Sequence, residues 1–268
     1  VFDALLGRVP LTFTLEGEPV PDELDRVAVV AQYSRTPRLS RSFQRLVEQL
    51  RANDYFVIVS STTEAGELEW PEGRPAGVSI LRRPNIGYDF GSWAVALNSF
   101  PQVRVAARVL TVNDSIVGPF SALAPLIRNF EDAGTPVWGA VRSHQFAPHL
   151  QSYFLGFSGG TVLARGPIRR FWRGVSVQGT KTDVIWKYEI GLSQLLRKAG
   201  IDSATAFDGM DVVGVGVNPV IIGWHSMLVR GFPFVKRELL VRPEVAPDSA
   251  EIPRVISDLF DEEIAAWV

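Results

Sequence analysis

Three short segments hold the residues whose types and spacing could do chemistry. In "TVNDSIVGPF" (111–120), Asp114 stands between Asn113 and Ser115 directly after a buried-strand pattern. A carboxylate so placed can hold a divalent cation, since hard cations take oxygen ligands and one carboxylate plus substrate phosphates often suffices. It can equally bind a sugar hydroxyl, or merely cap the turn that Gly118-Pro119 opens. In "RRPNIGYDFGSW" (82–93), Asn85, Gly87 and Asp89 lie between a strand end and a helix start. A glycine there lets the backbone approach a ligand, and the helix amides that follow favour an anionic group. The plainer role is Asp89 as a cap and Asn85 as a turn residue. In "WKYEIGLSQLL", Glu189 shares a helical stripe with Ile185, Leu192 and Leu196. An acid on an inward face is costly unless paired or functional, and desolvation there raises its pKa, which suits a general base. His225, one of three histidines, becomes interesting only if the fold brings it to Asp114.

These residues need elements to hold them. "RVAVVAQYS" (26–34), "YFVIVSST" (55–62), "VSILRRPN" (78–85) and "ARVLTVND" (107–114) read as strands buried on both faces. Between and after them lie helical patterns. One has Thr36-Pro37 as its start and Leu39, Phe43, Leu46, Val47 and Leu50 inward. A second has Phe90, Trp93, Ala94 and Leu97 inward, and a third opens at Pro119. Four strands, three of them followed by helices, predict a mostly parallel sheet covered on both faces, with ligands at the carboxyl ends of the strands. Gln32 to Ser34, Ser61 to Thr63, Asn85 to Asp89 and Asn113 to Ser115 fall there. Residues 1–25, rich in proline and acids, read as an irregular lead-in. The second half is less regular: strands at 136–143 and within 151–166, a short helix from Pro167, a Thr180/Asp183 capping box and Gly200 as a helix stop. The last stretch reads as an amphipathic helix with Ile252, Val255, Ile256, Leu259, Phe260 and Ile264 on one side. Its acidic polar face argues against binding anionic lipid.

Composition narrows the class. The 268 residues are 46% hydrophobic and 21% charged, which excludes a disordered or collagen-like chain. Zero cysteines exclude a disulfide scaffold, a thiolate metal site and a cysteine nucleophile. A net charge of −2 gives no sign of nucleic-acid binding. No apolar run approaches the ~18 residues of a membrane span. The sequence opens on Val1, which is compatible with a removed signal peptide or anchor. No P-loop, HExxH or GxGxxG occurs, so NTPase, zinc-protease and dehydrogenase readings lack their markers.

Taken in order, "RRPNIGYDFGSW", "VNDSIVGPF", "QSYFLGFS", "WKYEIGLSQLLRKAG" and "NPVIIGWHSMLVRGFPFVKRELL" resemble the rhamnan synthesis protein F family of bacterial glycosyltransferases of polysaccharide assembly. The resemblance covers about residues 26–240. It implies an α/β, GT-A-like, Rossmann-type mostly parallel sheet flanked by helices. That single domain (26–240) has a nucleotide-sugar half (26–132) and an acceptor half (133–240), with a lead-in (1–25) and a C-terminal amphipathic helix (241–268). Asn113-Asp114-Ser115 stands where such enzymes carry an Asp-x-Asp metal motif, with one of the two acids missing. By the resemblance, Asp114 holds a metal (manganese or magnesium) or the donor sugar, with His225 as a further metal ligand. Gln32, Tyr33, Ser34 and Thr62 then lie near the base and ribose, and Asn85, Gly87 and Asp89 near the donor. Lys236 or Arg237 neutralises the diphosphate, and Glu189 is the base of an inverting transfer. Trp93, Tyr153 and Trp224 are candidates for sugar stacking or, more ordinarily, for the core.

The implied donor is a nucleoside-diphosphate sugar, with rhamnose suggested by the family name. The implied acceptor is a polysaccharide or lipid-linked glycan. The expected location is cytoplasmic, at the inner membrane face, with peripheral membrane or synthase-complex association and no nucleic acid. The alternative is a non-catalytic relative that binds glycan or scaffolds a synthase. A nucleotidyltransferase is less supported, because "AQYSRTPRLS" lacks a glycine-rich loop.

Overall fold

A computed structural model of the chain describes residues 1–63, 66–164 and 166–268. Residues 64 and 65 of the turn-rich stretch, and residue 165 of the 151–166 run, lie outside the described residues. The strands are β1 (Phe2–Leu6), β2 (Val9–Gly17), β3 (Arg26–Gln32), β4 (Phe56–Ser61), β5 (Val78–Arg82), β6 (Arg108–Asn113), β7 (Ile116–Val117), β8 (Val137–Ser143), β9 (His149–Leu150), β10 (Phe154–Ser158), β11 (Ser203–Asp208) and β12 (Val235–Lys236). The helices are α1 (Arg41–Ala52), α2 (Tyr88–Ser99), α3 (Pro101–Val105), α4 (Ala124–Asp132), α5 (Gly166–Arg173), α6 (Lys181–Val184), α7 (Gly191–Lys198), α8 (Trp224–Val229), α9 (Arg237–Val241) and α10 (Ile252–Phe260). A π-helical turn, Ile185–Ile190, joins α6 to α7.

Ten strands form one sheet in the order β1-β2-β5-β4-β3-β6-β10-β8-β11, with β9 on β8. The central four, β5-β4-β3-β6, are parallel neighbours, and β8 and β11 run the same way beyond the reversed β10. Only β2, β9 and β10 oppose the common direction. This is the mostly parallel α/β sheet that the alternating pattern predicts. Side-chain alternation divides the core between two faces. Val27, Val29, Phe56 and Ile58 meet α2, α5 and α7, while Ala28, Val30, Val57 and Val59 meet α1 and α4. Both faces are apolar, so these strands read as continuous hydrophobic runs. A third cluster packs α8, α9 and α10 together through Trp224, Leu239, Ile252 and Ile256.

The register sets the site. Gln32 pairs with Ser61, Ser61 with Arg82, and Ala31 with Asn113. The polar groups that end four strands therefore stand in one row at the carboxyl edge.

Several local expectations are corrected. Residues 1–17 are mostly strand: β1 and β2 form a hairpin around Gly7, and β2 adds to β5. The alternation of Leu11, Phe13 and Leu15 carries that signal. Helix α1 is capped by Ser40, whose hydroxyl accepts from the Phe43 amide at 3.3 Å, and not by Thr36. The helix expected at Pro119 begins at Ala124. Ile116 and Val117 pair with β12, and the Phe120 amide donates to the Pro233 carbonyl at 2.9 Å, which keeps the chain extended. The last helix stops at Phe260, with Asp261 at φ 55°, and Ile264 follows in a 3-10 turn. The Thr180 cap and Gly200 stop are present.

Gly87 has a role other than ligand approach. It is buried at φ +81°, and a Cβ there would meet Leu6 Cδ2 at 2.4 Å. Its missing side chain lets the β1–β2 hairpin close on the loop before α2. Gly87→Ala is expected to destabilise by about 1–3 kcal/mol, from overpacking and left-handed strain, in urea unfolding. Adding Leu6→Ala should return the steric part relative to the two single losses. A Gly87→Ala variant within about 0.5 kcal/mol of the parent would contradict this packing role.

Candidate active site at the carboxyl edge of the sheet

Asp114 leaves β6 still in register, its amide donating to Ala31 O at 3.2 Å. Its carboxylate turns across to β3 and accepts the Tyr33 amide at 2.8 Å. Asp89, in the first turn of α2, accepts from Asn113 Nδ2 at 2.6 Å. Protein encloses both carboxyls, although each keeps some surface open. Burial pushes Asp114 up to about 7, against the pull of the Tyr33 amide and with a further push from Asp89. Burial likewise raises Asp89, against the Asn113 hydrogen bond.

The cationic side comes from a distant segment. Strand β12 pairs with β7, setting Lys236 opposite Ile116, and the Arg237 amide donates to Ser115 O at 2.8 Å. Lys236 Nζ then donates to Ser115 Oγ at 3.0 Å, and Ser115 Oγ donates to Asn113 Oδ1 at 2.6 Å. With Asn113 donating onward to Asp89, one directed chain of hydrogen bonds runs from a cation to an anion through two neutral side chains. Lys236 Nζ also lies 3.8 Å from the centre of the Tyr153 ring. Burial lowers its pKa to about 8, opposed by the charges of Glu189 and Asp89. Arg237 Nε donates to the Asp114 carbonyl at 3.0 Å.

Glu189 closes the group from the other half. It stands on the π-helical turn, between buried Tyr188 and Ile190. Such turns inside helices frequently mark functional sites. Its Oε2 accepts from the Ser152 amide at 2.7 Å and from the Ser152 hydroxyl, and its Oε1 lies 3.4 Å from His149 Nε2. The expectation of a raised pKa is therefore corrected. Burial does push it up, but His149 and Ser152 together outweigh that and hold Glu189 below the usual range. The partners of the acid are a histidine and a serine.

A cavity of about 680 Å³ opens beside Asp114, lined by Gln32, Tyr33, Ser34 and Arg237 among others. Gln32 is buried and fully used. Its Nε2 donates to Ser34 Oγ at 3.1 Å, and its Oε1 accepts from Ser61 at 2.7 Å and Thr63 at 3.1 Å. That network fixes the turn carrying Tyr33, which is 48% exposed and so can offer its ring to a planar ligand. Arg38, Arg41, Ala266 and Val268 also line this cavity. Arg41 is held by Glu262 at 3.2 Å and over the Trp267 ring at 4.7 Å. Sequence reasoning missed these residues, because only the return of the chain's last residues to the start of α1 puts them at the site.

Other predicted residues fall elsewhere. Thr62 is buried and donates to the Gln32 carbonyl at 3.3 Å, so it braces the cavity wall. Asn85 is exposed on its loop. His225 is exposed on α8, its ring against Trp224 at 5.4 Å. The segment that reaches the Asp114 region is β12, a turn further on, so Lys236 and Arg237 take the place expected for the histidine. Trp93 and Trp224 are core residues, bonded to Val112 O and Asp248, and the face of Tyr153 is taken by Lys236. None of the three is free to stack on a sugar.

The fold is a mostly parallel α/β sheet with acids and cations gathered at its carboxyl edge, the place where sheets of this class bind ligands. Within that class the chain belongs to the rhamnan synthesis protein F family, whose model matches residues 60–262. It is 29% identical over 247 residues to virulence protein VirA of Vibrio anguillarum, covering 80% of this chain and 79% of that one. It is 27% identical over 215 residues to the uncharacterised protein y4gN of Sinorhizobium fredii, covering 78% of this chain and 54% of that one. Among solved structures it is similar to a nucleotide-diphospho-sugar transferase of Desulfovibrio desulfuricans, with TM-score 0.43 and 12% identity over 87% of this chain and 97% of that one. Among the described residues no helix is long and apolar enough to cross a membrane.

The His149–Glu189 pair has a pH signature. Burial would lower His149, but Glu189 raises it above its ordinary 6.5, so its contribution to stability is full below 6.5 and lost as pH rises through the raised value. Glu189 lies below its ordinary 4.5, so its contribution is full above 4.5 and lost as pH falls through the lowered value. The stability difference between the parent and His149→Gln, read from urea midpoints, should therefore peak between about pH 4.5 and 6.5. A difference that stays flat from pH 4 to 9 would contradict the pairing.

Proposed function

We propose that the protein is a GT-A-like glycosyltransferase that moves a sugar, a deoxyhexose such as rhamnose, from a nucleoside-diphosphate donor to a cell-surface polysaccharide or lipid-linked acceptor. The observation that carries this reading is the meeting of Asp114, Asp89, Lys236 and Arg237 at the sheet edge, beside a cavity lined by Gln32, Tyr33 and Ser34. Membership of a rhamnan synthesis family supports it independently.

In this mechanism the nucleoside lies in the cavity, with its base against Tyr33. Transfer breaks the bond from the anomeric carbon to the diphosphate and forms one to an acceptor oxygen. Negative charge grows on the departing diphosphate, and Lys236 and Arg237 supply the fixed positive charge that stabilises it. The acceptor oxygen attacks the face opposite the departing diphosphate, which inverts the anomeric centre, and Glu189 takes the acceptor's proton. His149 and Ser152 keep that carboxylate ionised and aimed. Near it, Phe146 and Trp186, 53% and 51% exposed and 5.4 Å apart, offer apolar ring surface for an acceptor sugar.

A divalent cation fits the donor end in a minimal way. Two enclosed carboxyls that repel each other, Asp89 and Asp114, suit magnesium or manganese bound through few protein ligands and the donor phosphates. Those two residues would hold it, and it would supply further charge neutralisation of the diphosphate. Among the described residues there is no group of three or more His, Cys, Asp or Glu that could hold a metal ion. Lys236 and Arg237 stand at the same edge, and on this reading they carry most of the neutralisation.

One observation favours a second reading, a glycan-binding scaffold without catalysis: both oxygens of Glu189 are already engaged. Transfer and donor hydrolysis, assayed with dTDP-, UDP- and GDP-sugars, separate the two. Glu189→Gln and Lys236→Gln are each expected to lower kcat at least 100-fold, with native circular dichroism. A chelator should lower it less than tenfold. Near-normal turnover in either variant would remove its assigned role. Complete loss with chelator, restored by manganese, would overturn the chain-borne neutralisation.

A further inference from the structure

A second cavity, of about 1160 Å³, lies between the β1–β2 hairpin, the back of α2 and α5. It is separate from the cavity beside Asp114, and the two share no lining residue. Two features of its wall are unusual together. Arg104, Arg169 and Arg173 converge on it, against Asp3 as the one acid in the lining. Arg169 and Arg173 are one helical turn apart on α5, exposed, and have no hydrogen bond or ion pair among the described residues. Arg104 spends one nitrogen on the carbonyls of Leu97 and Asn98. Its guanidinium is pushed down by burial and by the charges of Arg169 and Arg173. Three like charges held together without an acid partner repel one another, and an anion relieves that repulsion.

The opposite wall is apolar. Phe2 is 50% exposed, and Phe13 and Leu11 follow it on the inward face of the hairpin, whereas Leu5 points to the other face. Phe2 stacks on Phe13 at 5.3 Å, so the exposed ring is held in place. A free inorganic anion gains nothing from this surface, and a plain hydrocarbon gains nothing from the arginines.

We propose that this cavity binds a phosphate-bearing amphiphile, the phosphate on Arg104, Arg169 and Arg173 and the hydrocarbon chain along Phe2, Leu11 and Phe13. The site is independent of the transfer reading, and its test needs no turnover. It also places a lipid contact on the hairpin face, whereas the sequence pattern considers lipid only at the acidic C-terminal helix.

The test is calorimetric titration of the whole chain with decyl phosphate below its micellar concentration, inorganic phosphate, and the neutral amphiphile decyl maltoside. Decyl phosphate should bind at least tenfold more tightly than either of the others. Arg169→Ala/Arg173→Ala should weaken decyl phosphate at least tenfold. Phe2→Ser should weaken decyl phosphate while leaving inorganic phosphate unchanged. These positions are exposed, and an unchanged thermal melt confirms that the variants fold. Equal affinity for phosphate and decyl phosphate would overturn the apolar part. Equal affinity for decyl maltoside, or variants that bind as the parent does, would overturn the arginine part. No binding of decyl phosphate by the parent would overturn the proposal as a whole.

Discussion

The candidate site depends on one half-buried cation. Lys236 is carried by a two-residue strand, yet it is the end of a hydrogen-bond chain that runs through Ser115 and Asn113 to Asp89. A buried ammonium is expensive unless it is paired and hydrogen-bonded. Here the Tyr153 ring, the Ser115 hydroxyl and the fields of Glu189 and Asp89 meet that cost. The same contacts tie the two halves of the sheet edge together. Asp89 comes from α2, Asn113 and Ser115 from the end of β6, and Glu189 from the π-helical turn. Without Lys236, Asp89 and Asp114 would face each other with less compensation, and Asp114 is already pushed up to about 7.

The surrounding structure serves that arrangement. The parallel register of β4, β3 and β6 puts Ser61, Gln32 and Asn113 at one edge. The Gln32 network fixes the turn that presents the Tyr33 amide to Asp114. Helices α8 to α10 bury Trp224, Leu239 and Ile256 in a cluster of their own, and that cluster supports β12 against β7. The last residues of the chain then return to α1, where the Ser42 amide donates to Trp267 O at 3.1 Å, and so line the cavity beside Asp114.

The central strands and their helices were legible because a two-sided parallel sheet leaves continuous apolar runs, as in Val27 to Ala31 and Phe56 to Val59. Asp114 and Asp89 are legible as acids at strand and helix ends, and Lys236 and Arg237 only through the family resemblance. Their mutual contacts were not, because β7 and β12 are two residues long and leave no periodicity. The hairpin at residues 1–17 is hidden by Pro10 and by Pro19 and Pro21 just after it, although Leu11, Phe13 and Leu15 alternate. Glu189 lay on the expected stripe, but the partners that decide its pKa, His149 and Ser152, sit on a different strand and loop. Gly87 was read as ligand space, whereas Leu6, a residue of that unrecognised hairpin, fills it.

The central claim is that the edge cavity, with Arg237 in its wall and Lys236 behind Ser115, takes a nucleoside diphosphate. Calorimetric titration with dTDP, UDP and GDP, with and without manganese, tests it most directly. Binding of one of them, weakened at least tenfold in Arg237→Ala, is the predicted result. No binding of any of the three under either condition, or equal binding by the variant, would contradict it.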